Sequence, residues 1–101
     1  MKSYLLTNNK DTLVGLRLAG VHGQLVHTAE ELHASVQEKM SDKETGIIII
    51  STDVVDYDRV MVMEAKLKSD DTLIIEIPSG QKMFDSDYIT RYIKESIGVK
   101  L

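Results

Sequence analysis

Three aspartates directly behind an apolar run, Asp53, Asp56 and Asp58, are the residues of this 101-residue chain best placed to do chemistry. An aspartate at the end of a central strand can accept a phosphoryl group when further acids hold a divalent metal, which wants several oxygen ligands on one face. Those acids are not supplied, because the first strand ends in Asn8-Asn9 where an acidic pair would be needed. Helix capping and solvation account better for Asp53 and Asp56. Ser51 also follows a strand, but it lacks the Gly-x-Ser-x-Gly turn that presents a nucleophile, and it reads as an end-of-strand hydroxyl. His22, His27 and His33 have no cysteine or motif-placed carboxylate to complete a metal set, so they read as polar surface histidines. Gly20-Val21-His22-Gly23 precedes a strand instead of following one, which is the wrong context for cradling phosphate; a tight turn is expected. The residues therefore predict no catalytic, cofactor or metal site.

Composition narrows the classes further. A formal net charge of -4 with a pI near 5.3, and only five aromatics (four Tyr and one Phe), gives no basic footprint or stacking surface for nucleic acid. With no cysteine there is no disulfide or thiolate chemistry, and no charged-then-apolar leader opens the sequence, so a cytoplasmic setting is expected. The longest purely apolar runs, Ile47–Ile50 and Val60–Met63, are four residues each. They fall far short of the roughly 20 residues that span a bilayer, so any membrane connection is expected to run through a partner.

The elements that must position these residues are legible from pattern. Ile47–Ile50, between Gly46 and Ser51-Thr52-Asp53, is an uninterrupted β-branched run, the mark of a strand covered on both faces and hence of a parallel sheet. Similar segments at Tyr4–Thr7, Gln24–His27 and Leu73–Ile77 alternate with stretches of helical spacing, giving β-α-β-α-β-α-β-α, a small α/β domain. The first helix is expected over about 11–19, capped by Asn9 after a turn in which Asn8 tolerates a left-handed conformation. Leu13, Leu16 and Leu18 face inward, and Gly20 is the stop. Thr28-Ala29-Glu30-Glu31 matches a capping box for a second helix carrying Leu32, Val36 and Met40. A third helix is expected over about 54–68. Its consecutive Val60, Met61, Val62 and Met63 cannot share one face, so one or two are exposed or interfacial.

Pro78-Ser79-Gly80 breaks the pattern. The chain is accordingly divided into a sheet domain over 1–79 and a linker with a C-terminal helix over 80–101. That helix spans about 86–97, with Ile89, Tyr92, Ile93 and Ile97 along one side, Asp87 and Arg91 as an i,i+4 pair, and Gly98 as its stop.

Four segments carry a resemblance: Asp11–Val21, Gly46–Thr52, Ile75-Glu76-Ile77-Pro78 and Ile97-Gly98-Val99-Lys100-Leu101. In this order and spacing the chain resembles the F subunit of V-type and archaeal-type rotary ATP synthases and ATPases. It departs from that family at Asn8-Asn9, where Gly-Asp is usual, and in the Met-rich third helix. The resemblance implies four parallel strands in the order 2-1-3-4, a flavodoxin- or receiver-like arrangement with a mobile C-terminal segment. It also implies a non-catalytic central-stalk protein, monomeric when isolated, that binds the coiled-coil D subunit of the rotor. Further contacts would run to the C (also called d) subunit of the rotor and to the catalytic A/B ring, and the protein would modulate ATP hydrolysis coupled to ion transport. On this reading Phe84, Ile89, Tyr92, Ile93 and Ile97 contact either the coiled-coil shaft or the chain's own sheet. Met61, Val62 and Met63 form a second candidate patch. The alternative is a receiver-like signalling or protein-interaction module, against which stands the lack of a fifth strand to present a lysine.

Overall fold

The computed structural model describes residues 2–78 of the chain. Its elements are β1 (Lys2–Thr7), α1 (Lys10–Leu18), β2 (His22–Leu25), α2 (Ala29–Ser41), β3 (Thr45–Ser51), α3 (Thr52–Val55), α4 (Arg59–Lys68) and β4 (Leu73–Ile77). The four strands form one parallel sheet in the order β2-β1-β3-β4, as the resemblance implies.

Alternation along the strands divides the core into two layers. On one face Leu6, Ile48, Ile50 and Ile74 pack beneath Leu32 and Val36 of α2, Val54 and Val55 of α3, and Val62 and Ala65 of α4. On the other, Leu5, Ile75 and Ile77 meet Leu13 and Leu16 of α1, with Ile47 and Ile49 half-buried at the margin. The isoleucine run of β3 is therefore apolar on both sides because both sides are lined by core. Each fully buried Leu, Ile or Val contributes about 1.5–3 kcal/mol.

Local signals set most of the boundaries. Asn9 caps α1, its Oδ1 accepting the Thr12 N–H at 3.0 Å. The helix closes with the Gly20 N–H donating to Arg17 O at 3.0 Å and the Val21 N–H to Leu16 O at 2.9 Å. Gly20 takes φ +91°, the left-handed end that glycine supplies. Thr28 caps α2, its Oγ1 accepting the Glu31 N–H at 3.0 Å. A polar tie then locks α2 to the sheet: Tyr4 Oη donates to Gln24 Oε1 at 3.0 Å, and Gln24 Nε2 donates to Ser35 Oγ at 2.7 Å.

Four expectations about the elements are corrected. Asn8 is not left-handed, since no described non-glycine residue has positive φ. Leu18 points away from the core and is 86% exposed, because Leu13 and Leu16 already define the inner face. Strand two lies at His22–Leu25 and not at 24–27, so Gly20–Gly23 is no simple turn: it spans the end of α1 and the start of β2. The reason is Gly23, which pairs with Leu5; a Cβ there would lie 2.6 Å from Leu5 O and 2.7 Å from Leu5 Cβ. Only a residue without a side chain lets β2 enter at that point, and a propensity reading discounts glycine in strands.

The fourth correction concerns the expected third helix, which is two helices separated by 56–58. In one continuous helix Val54, Asp58 and Val62 would stand at i,i+4 steps on the buried face, driving a carboxylate into the core. Instead the Tyr57 N–H donates to Val54 O and the Asp58 N–H to Val55 O, both at 3.1 Å, which tightens and ends α3. Asp58 leaves helical geometry at φ -160°, ψ 78°, and starts α4 as its cap.

Candidate functional site

The C-terminal ends of the strands gather most of the polar residues singled out in the sequence. Asp58 Oδ1 accepts the Met61 N–H at 3.1 Å, so the capping aspartate of this cluster is Asp58 and not Asp56. Asp56 forms an ion pair with Arg59, whose Nη1 and Nη2 also bind Glu76 Oε1 and Oε2 at 3.0 and 3.2 Å across from β4. The Glu76 hydrogen bonds, then those to Asp56, raise the Arg59 pKa further above its ordinary value. That guanidinium pins the start of α4 to β4. Asp53 sits exposed in the first turn of α3. Asp58 thus serves a helix start, and Asp56 with Glu76 forms an arginine clamp.

Beside them, Asn8 Nδ2 donates to Tyr57 Oη at 3.1 Å, joining the end of β1 to the α3–α4 break. Ser51 is fully buried at the end of β3, and its Oγ has no hydrogen-bond partner; the buried Thr12 Oγ1 is in the same condition. Among the described residues, no three His, Asp or Glu side chains group as metal ligands. His22, His27 and His33 are all exposed, on β2, the β2–α2 connection and α2.

The second expected patch is divided by the geometry of α4. Val62 is 2% exposed and packs in the core, and Met61 is half-buried against that core. Met63 points outward at 62% exposure, joined by Val60 at 67% and Leu67 at 85%. Of the four consecutive residues, one or two of which are expected to face outward, Val60 and Met63 do so, whereas Leu67 was missed; its signal was the i, i+3, i+7 spacing of 60, 63 and 67, which attention to the consecutive run alone passes over. Phe84, Ile89, Tyr92, Ile93 and Ile97 lie outside the described residues.

A four-stranded parallel sheet flanked by helices, with Asp58 capping one helix, Asp56 paired to Arg59 and an apolar row exposed on α4, defines a small α/β protein. The chain belongs to the family of the ATP synthase (F/14-kDa) subunit, whose model matches residues 5–96. Members of that family are accessory to the synthase, which places the chain in an ATP synthase complex. No curated protein matches it. No described helix is long and apolar enough to cross a membrane.

Proposed function

We propose that this chain is the non-catalytic F subunit of the central stalk in a V- or A-type rotary ATP synthase or ATPase. It binds the coiled-coil D subunit, links with it to the C (d) subunit of the rotor, and turns inside the A/B ring while modulating ATP hydrolysis. The observation that carries this reading is the family match over residues 5–96, which takes in β2, β3, β4 and the second half of β1 and extends past Ile89, Tyr92 and Ile93. That apolar row, with Phe84, is suited to helix-in-groove burial against a coiled coil.

Co-purification of the full chain with the coiled-coil subunit of the same complex, followed by size-exclusion chromatography with light scattering, tests the proposal. A stable one-to-one complex is expected. Ile93→Ala with Ile97→Ala should weaken that complex while leaving the sheet folded; a chain that stays monomeric in the presence of the coiled-coil subunit would refute the rotor reading.

A further inference from the structure

Val60, Met63 and Leu67 form the most extensive apolar row left open to water on any described helix. The two exposed apolar residues of α1, Val14 and Leu18, give only a single i,i+4 pair. Singly exposed apolar residues are ordinary, whereas an aligned set on one rigid helix marks an interaction surface. The row cannot roll inward, because Val62 and Ala65 on the opposite side of α4 are held in the core at 2% and 8% exposure. The Arg59 clamp to Glu76 fixes the start of the same helix.

The spacing specifies the kind of partner. Positions 60, 63 and 67 repeat as a-d-a of a heptad, with a β-branched residue and a leucine at the two a positions and an adaptable methionine at d. Such a seam receives the knobs of another helix lying nearly parallel to it. Its rim is charged and asymmetric: Glu64 flanks it at e, and Lys66 flanks it at g. Arg59, also at g, is already shared between Asp56 and Glu76. A complementary helix therefore carries a base facing Glu64 and an acid facing Lys66.

The row also lies apart from the other exposed apolar strip of the described residues. On the α1 side of the sheet, Ile47 and Ile49 are half-buried and Leu73 is 44% exposed, an apolar strip on β3 and β4 themselves. The row on α4 belongs to the opposite layer and faces away from the sheet. We infer that the outer face of α4, through Val60, Met63 and Leu67, is the docking surface for one helix of a coiled coil. This rests on the proposed central-stalk role and assigns the surface of the folded body that meets the shaft.

The test uses the full-length chain and, as probe, the coiled-coil subunit of the same complex. Met63→Asp with Leu67→Asp is expected to weaken Kd by about 30-fold or more, the loss typical of central apolar contacts. Because both positions are exposed, the variant should keep the wild-type melting curve. Lys66→Glu should weaken binding several-fold, with the loss fading in high salt. Since the chain has no cysteine, Leu67→Cys offers a single thiol that should react with maleimide in the free chain and be protected in the complex. Unchanged affinity of the double variant, with the thiol equally reactive in the complex, would overturn the surface while wild-type binding still upheld the stalk role. Failure of the wild-type chain to bind would overturn both. A free dimer abolished by the double variant would make a second copy the occupant, and a thiol already protected in the free monomer would make the chain itself the occupant; either result overturns the inference.

Discussion

Replacing Gly23 by alanine adds one methyl group at the place where the sheet has least room for it. The new Cβ would stand 2.6 Å from Leu5 O, 2.7 Å from Leu5 Cβ and 3.1 Å from Leu13 Cδ1, where ordinary contact begins near 3.4 Å. Two of those atoms cannot swing aside, since one is backbone and the other is the stem of a side chain with 0% exposure. β2 must therefore draw away from β1 by roughly 0.8 Å, the gap between 2.6 and 3.4 Å. Overpacking of this kind costs about 1–3 kcal/mol, and the smaller unfolded-state entropy of alanine offsets about 0.4–1 kcal/mol of it. The net loss of about 1–2 kcal/mol corresponds to a fall in Tm of roughly 5–15 °C for a domain of this size. Gly20→Ala is the matched control: it meets no atom within 4 Å but holds φ +91°, so its cost is backbone strain alone, about 1–2 kcal/mol. Thermal and urea unfolding followed by far-UV circular dichroism would measure both. A Gly23→Ala variant as stable as the wild type would refute the close approach of β2 to β1. The backbone amides of Tyr4–Thr7 should exchange faster in Gly23→Ala than its loss of global stability accounts for, and by no more than that loss in Gly20→Ala.

Other perturbations read different parts of the fold. Thr12→Val removes a buried hydroxyl that has no partner while keeping the side-chain shape, and is expected to raise stability by about 1 kcal/mol in urea unfolding. Asp58→Ala deletes the cap that restarts α4, and should cost about 1 kcal/mol by the same measurement. Ile48→Ala opens a cavity under α2 and α4 in a position with 0% exposure; a loss of about 2–5 kcal/mol is expected, enough to leave much of the chain unfolded at about 37 °C. Glu76→Gln loosens the Arg59 clamp at the protein surface, so any drop in Tm should be small at low salt and disappear in about 1 M salt.

Several features were legible because their causes are local or periodic. The isoleucine run of β3 announced a strand covered on both sides, and the core on each face agrees. Asn9, Thr28 and Gly20 act through hydrogen bonds or dihedral freedom within one turn, so their positions in the chain sufficed to place three helix ends. Strand β4 was found at its observed bounds because Pro78 stops it and β-branched residues fill it. The class of protein followed from segments spread over the chain, and the family match agrees with it.

Other features depended on which side of each element faces the sheet. Asp58 is a mid-helix residue by spacing and a helix start in the fold, because the buried layer that would have received its carboxylate exists only after β3, α3 and α4 are assembled. The same layer claims Met61 and Val62 and leaves Val60, Met63 and Leu67 outside, a division no count of consecutive apolar residues contains. Gly23 looks like a strand breaker along the chain, yet it is the residue that lets β2 approach Leu5. Sequence alone determined the α/β class and the alternation of strands with helical stretches through β4, because propensity, capping and burial period act over a few residues. Tertiary structure decided which residues were left on the surface, because exposure is settled only when every neighbouring layer is in place.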